Sequence, residues 1–178
     1  DGRSTRAVAK DIRQLVGLAP NQAEAVRNYE RTLRGKRPGA SPLDYQLRDR
    51  RYDARVRAGT MTEAQIDTAV SAYRRKMEAF HANTVSQTAT RDSLKLGQHL
   101  AWQDAIDAGA VKRENLYKQW MAVAGPVGDG RNRPEHLAMH GETIPYDGTF
   151  SNGDTVPGES EWNCRCLARY IVKRDSAA

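Results

Sequence analysis

Cys164-Arg-Cys-Leu-Ala-Arg-Tyr-Ile-Val-Lys173 alternates residue by residue. Cys164, Cys166, Ala168, Tyr170 and Val172 fall on one face of an extended chain, and Arg165, Arg169 and Lys173 on the other. That is the two-residue period of a half-buried β-strand. Upstream of it, Leu116 to Val123 favours a second strand, and seven of the 14 glycines lie beyond Val123. Pro134 and Gly141 bracket a helix of about two turns. Together these features predict a small α+β module over 116–178 with a short antiparallel sheet.

The preceding residues read as helices. Ile12, Leu15 and Val16 give a short apolar face that stops at Gly17. Pro20 suits a first helical position, and Ala23, Val26, Tyr29 and Leu33 follow at helical spacing up to Gly35. Gly35 to Gly39 is a loop. Ser41-Pro-Leu-Asp44 has the chemistry of a helix start, for a helix carrying Leu43, Leu47 and Val56 and ending near Gly59. Thr62 with Gln65 makes a capping box, stapled by Met61 and Ile66, and Ile66, Ala69, Val70, Tyr73, Met77 and Phe80 repeat after it. A further helix carries Leu96, Leu100 and Ile106, with Gly109 just past its end. The expected class is α+β: a long-helix arm over 1–115, then the compact module over 116–178. The apolar stripes are narrow, so the arm is expected to pack against a partner as well as itself.

Composition narrows the function. The chain has 178 residues, with 28 Lys or Arg against 22 Asp or Glu, a net charge of +6 and a pI of about 9.5. The excess is lopsided: residues 1–120 hold 22 basic and 14 acidic side chains, residues 121–178 six and eight. Nucleic acid or an acidic protein surface is therefore a plausible neighbour of the arm. The contact candidates are Arg48, Arg50, Arg51, Arg55, Arg74, Arg75 and Lys76, although Asp49 and Asp53 interrupt them. The other reading of these charges is a solvated outer face of helices. No run approaches the roughly 20 apolar residues of a membrane span, and no apolar signal core opens the sequence. Two cysteines exclude a disulfide framework, and an intracellular chain is expected.

The segment from Trp120 to Cys166 gathers the chemistry-bearing residues. His136, His140, Cys164 and Cys166 could form a tetrahedral zinc site, the two histidines lying four apart on one helix. A regular strand argues against it, because it separates residues two apart by about 6.6 Å, whereas zinc needs its sulfurs within about 4 Å of each other. The favoured reading is two small buried thiols and no cofactor, with zinc the open alternative. Cys164 and His136 also form a conceivable nucleophile and base, with Asp129 or Glu135 to orient the imidazole. A His-dependent nuclease could use Arg131 or Arg133. The structural reading has Asp129, Arg131 and His136 locking a glycine-rich loop. Trp102, Trp120 and Trp162 are assigned to the core.

Trp120…Asp129-x-Arg131-x-Arg133-Pro134-x-His136, followed by Gly141, Phe150, Pro157-Gly158 and Asn163-Cys164-Arg165-Cys166, resembles the C-terminal signature of phage Mu F-like minor head proteins. Gly17 to Tyr29, and Thr84 to Ala105 with Arg91, Gly97 and Trp102, also look like segments upstream of it in that family. The resemblance implies a head-morphogenesis protein of tailed phages, present in few copies at the portal vertex inside the head. It further implies the portal protein as partner, with major capsid protein or scaffold as others, packaged double-stranded DNA as neighbour, and no membrane. The expected locations are the virion and, during assembly, the host cytoplasm. Trp120, Asp129, Arg131, His136, Gly141, Cys164, Arg165 and Cys166 become structural signature residues rather than catalytic ones. His140 stands where relatives carry an acidic or amide residue, which weakens the four-ligand zinc site. The expectation is a non-enzymatic head component; the rivals are a nuclease or Cys–His hydrolase and a free basic DNA-binding protein.

Overall fold

The computed structural model describes residues 4–174, apart from Ala124 and the side chain of Gln14. The chain forms two compact units, one up to Ser86 and the other from Gln87. The division falls inside a helix, so the second unit includes a helical stretch upstream of the module at 116.

In the first unit, α1 (Thr5–Val16) starts at Ser4, whose hydroxyl accepts the Ala7 N–H at 3.2 Å. α2 (Pro20–Leu33) has Pro20 at its first position, and the Gln22 side chain accepts the Ala19 N–H at 3.1 Å. Its end needs a left-handed residue. Gly35, at φ +69°, lets the N–H groups of Gly35 and Lys36 return to the Thr32 and Arg31 carbonyls. The helix expected from Ser41 to Gly59 is instead broken into 3-10 turns at Pro42–Asp44 and Arg50–Tyr52, followed by α3 (Asp53–Ala58). Tyr45 is the cause. Its ring packs 5.0 Å from that of Tyr29, and its hydroxyl meets Thr32 Oγ1 at 3.1 Å and takes a hydrogen bond from Arg37 at 2.9 Å. Holding that side chain in the core keeps its backbone extended, which outweighs the helix-start chemistry upstream.

α4 (Glu63–Asp107) is one 45-residue helix where two were expected. The capping box forms as read: Gln65 Oε1 accepts the Thr62 N–H at 3.1 Å and Thr62 Oγ1 accepts the Gln65 N–H at 3.3 Å. The middle of the helix lacks apolar periodicity but also lacks a breaker. The Thr84 hydroxyl there bonds back to the Phe80 carbonyl at 3.0 Å. The helix ends as predicted at Gly109, whose N–H and that of Ala110 return to Ile106 and Ala105. The first unit's core is Val26, Tyr29 and Tyr73, with Leu18, Leu33, Tyr45, Leu47, Val70 and Met77 packed around them. Ser86 Oγ donates to the Thr5 carbonyl at 2.8 Å, and His81 Nδ1 donates to that of Gly17 at 3.0 Å. These polar ties hold α1 alongside part of the expected apolar face: Ala9 is buried and Ile12 and Val16 are half-buried, whereas Leu15 is 86% exposed.

The second unit comprises Gln87–Asp107 of α4, β1 (Leu116–Met121), α5 (Pro134–Ala138), β2 (Thr143–Pro145) and β3 (Leu167–Val172). The sheet is antiparallel with order β2-β1-β3, pairing Trp120 with Ala168 and Lys118 with both Tyr170 and Ile144. The α+β class with a short antiparallel sheet is therefore as expected. Trp120, Ala122, Met139, Phe150, Cys164 and Cys166 form the core, with Leu137 and Ile144 against it. Four apolar residues expected inside need correcting. Trp162 is exposed, Val172 is exposed near the sheet's end, and Leu96 and Leu100 of α4 point to solvent. α4 turns a polar side inward instead, burying Thr88 and Lys95 and stacking His99 on Tyr146 at 4.6 Å. Hydrophobic periodicity cannot find a buried face of that composition. Among the described residues, no helix is long and apolar enough to cross a membrane.

Candidate metal centre

α5 is five residues long, begun by Pro134, and places His136 inward at 3% exposure. The imidazole sits edge-on to Trp120, with ring centroids 5.2 Å apart. Its Nδ1 lies 3.6 Å from Cys164 Sγ and 3.7 Å from Cys166 Sγ, and all three donor atoms fall within 4.8 Å of one another.

The cysteines reach this point because they are not on a regular strand, as the alternation suggested. β3 begins at Leu167. The chain turns before it at Asn163, at φ +60°, a conformation asparagine tolerates better than most residues. Residues 164–166 then run irregularly, and the Cys166 N–H points back at Cys164 Sγ from 3.4 Å. The regular-strand spacing of about 6.6 Å therefore does not apply, and the two sulfurs lie within 4.8 Å of each other.

His140 does not join them. α5 stops at Ala138, so the four-residue helical spacing is lost, and His140 Nδ1 accepts the Ala122 N–H at 3.1 Å. The candidate donor set is thus three residues, His136, Cys164 and Cys166, rather than four.

Loop residues seat the sulfurs. A Cβ added to Gly158 would stand 2.5 Å from Cys164 Cβ and 3.1 Å from its Sγ, so only glycine lets the two segments approach this closely. Asp154 fixes that glycine: its buried carboxylate accepts the N–H of Gly158 at 3.0 Å and of Ser160 at 3.1 Å. Burial would raise the Asp154 pKa, but the donors at Ser160, Asn152 and Gly158 outweigh it and hold it below the usual carboxylate range. Lys95 of α4, also buried, donates to the Cys164 carbonyl at 3.2 Å. Sequence reasoning missed Asp154 and Lys95. The turn-rich Ser151 to Gly158 stretch offered a signal for Asp154, since Asp commonly anchors such loops; nothing in the sequence marked Lys95.

The two thiols are unequal. Hydrogen bonding from Cys166, through side chain and backbone, with Lys95 nearby, holds the Cys164 pKa below the ordinary thiol value. Cys166, facing Cys164 and buried, is pushed up. A pocket of about 180 Å³ borders the group, lined by the three donors with Arg131, Arg133 and Arg165 among others.

The expected loop lock exists with a different membership. Arg165 grips the Asp129 carboxylate at 2.6 and 2.9 Å and Arg131 adds a bond at 3.1 Å, which keeps Asp129 well below the usual carboxylate range. His136 takes no part in it. Arg133 instead donates to the Trp162 carbonyl at 3.0 Å and pairs with Glu161 at 3.2 Å. The Gly141 N–H bonds the Trp120 carbonyl at 2.9 Å. Of the signature residues, Trp120, Cys164 and Cys166 therefore share the core cluster with His136 packed against them, and Asp129, Arg131 and Arg165 form an ion-paired clamp. Asp129 is not in place to orient His136. One further buried charge went unread: among the described residues, Lys118 on β1 has no hydrogen-bond partner for its Nζ, which lies 5.8 Å from the Phe150 ring centroid and 5.9 Å from that of Tyr146.

In the first unit, five of the seven proposed DNA-contact residues converge. Arg48, Arg50, Arg51, Arg75 and Lys76, together with Arg13, line a groove of about 850 Å³ in which Asp49 is the one acid among the described residues. Arg48 pairs with Asp53 and Arg51 with Asp49. Arg55 and Arg74 are exposed but do not line the groove.

No family model and no solved structure matches the chain. Over 88 residues it is 34% identical to "Putative capsid assembly protein F" of Escherichia phage Mu, a match that takes in 49% of this chain. The same match spans 17% of the Mu protein, so this chain is similar to one part of a much longer relative named for capsid assembly.

Proposed function

We propose that this chain is part of a phage head-assembly protein, a structural component that docks at the portal vertex on the inner side of the capsid. The observation that carries the reading is the 88-residue similarity to a Mu protein whose name is capsid assembly. The Asp129–Arg165 clamp and the packed His136, Cys164 and Cys166 cluster suit it, because their polar groups are engaged with one another in a rigid knob. The groove of Arg13, Arg48, Arg50, Arg51, Arg75 and Lys76 supplies non-specific contacts to the phosphates of packaged DNA. No catalytic step is assigned to this chain.

The test mixes the purified chain with the portal ring encoded by the same phage and weighs the product by size-exclusion chromatography with light scattering. A complex of fixed stoichiometry supports the reading. A folded chain that stays apart from the ring at micromolar concentration refutes portal docking, and a nuclease assay would then decide for the enzyme.

A further inference from the structure

We infer that His136, Cys164 and Cys166 bind one zinc ion through Nδ1 and the two Sγ atoms, with solvent from the adjoining pocket as the fourth ligand. The inference stands independently of the head-assembly role. It rests first on distance. In a tetrahedral site with Zn–N of about 2.05 Å and Zn–S of about 2.3 Å, nitrogen and sulfur are about 3.5–3.6 Å apart. His136 Nδ1 lies 3.6 and 3.7 Å from the two sulfurs.

Composition and burial agree with the distances. Two thiolates and an imidazole are a soft donor set that selects zinc over magnesium or calcium. All three residues are at least 97% buried, and they come from two segments separated by more than 25 residues of sequence. The Cys166 N–H aimed at Cys164 Sγ is an outer-shell donor of the kind that stabilises a metal-bound thiolate. Zinc with two thiolates is neutral overall, which suits an apolar core beside Trp120 and Phe150. The ion would tie α5 to the approach of β3, a staple for a unit with a small apolar core. His140 is excluded because its Nδ1 is committed to the Ala122 N–H.

The test uses the full chain, expressed without a histidine tag and purified under reducing conditions without chelator. Elemental analysis is expected to find about one zinc per chain. His136→Ala and Cys166→Ser should each cut that to below about a tenth, while His140→Ala keeps it, since removing a direct ligand costs more than the 10–100-fold of an outer-shell change. Because a ligand variant could unfold, the wild-type chain gives a second readout. Both thiols should resist a disulfide reagent until zinc is withdrawn by a chelator, and cobalt substitution should give sulfur-to-metal charge-transfer and four-coordinate d–d bands. A folded, reduced chain that neither retains added zinc nor shows those cobalt bands overturns the site. Loss of zinc in His140→Ala as large as in His136→Ala overturns the three-residue assignment.

Discussion

Replacing Gly158 by alanine tests the packing around Cys164 directly. Two costs add. At φ +87° the backbone occupies the left-handed region, where an L side chain costs about 1–2 kcal/mol. The new Cβ would also come within 2.5 Å of Cys164 Cβ and 3.0 Å of Lys95 Nζ. The lysine tip can swing away, but Cys164 Cβ is fixed by its own backbone, and overpacking of that kind costs about 1–3 kcal/mol. The sum, about 2–5 kcal/mol, is a large share of the stability of a unit this size. Gly153→Ala separates the two costs, because Gly153 has φ +89° and nothing within 4 Å of the added Cβ. Thermal unfolding followed by circular dichroism and Trp fluorescence should show Gly158→Ala melting at least about 10 °C below wild type, and Gly153→Ala losing about half as much or less. If the two variants melt within about 2 °C of each other, the close approach of Gly158 to Cys164 is wrong.

Three further outcomes are expected. Asp154→Asn keeps the shape but loses the charge on a buried acceptor of two backbone N–H groups, and urea titration should register a loss of about 1.5–3 kcal/mol at neutral pH. Because the folded-state pKa of Asp154 lies below its unfolded value near 3.9, that stability is present above about pH 4 and is lost as pH falls through the folded value; the variant's acid limb should be flatter. Lys118→Met removes a buried ammonium with no hydrogen-bond partner among the described residues, and should raise stability by about 1 kcal/mol or more. Burial lowers the Lys118 pKa in the folded state, so wild-type stability should rise with pH toward the unfolded lysine value of about 10.4, a rise absent from the variant. Finally, Arg50→Glu with Arg75→Glu should weaken duplex DNA binding and reduce the slope of log affinity against log salt by about 2; an unchanged slope would remove the groove as the contact site.

The elements that were legible in the sequence are those marked by local chemistry. Pro20, the Thr62–Gln65 box and the glycines at 35 and 109 fix helix ends through bonds between neighbours in the chain, and each is found where the pattern puts it. Leu116 to Met121 and the alternation up to Val172 located two of the three strands. What failed depends on tertiary competition. Tyr45 breaks a helix whose start was well written because Tyr29, Thr32 and Arg37 hold its side chain elsewhere. α4 faces inward with Lys95 and His99 because Cys164 O and Tyr170 meet their polar atoms, partners from 69 and 71 residues away that no helical period announces. The site shows the same limit. The sequence named His136, Cys164 and Cys166, but the strand rule separated the sulfurs, and the turn at Asn163 that reunites them has no periodic signature.

The head-assembly account meets its most direct test in the particle itself. Gradient-purified heads of the phage that encodes this chain, freed of unassembled protein, would be analysed by quantitative mass spectrometry against portal peptides. The account predicts this chain's peptides in the heads at a fixed ratio of no more than a few copies per portal subunit, and their loss from heads assembled without the portal. Heads that package DNA and contain none of this chain would contradict it.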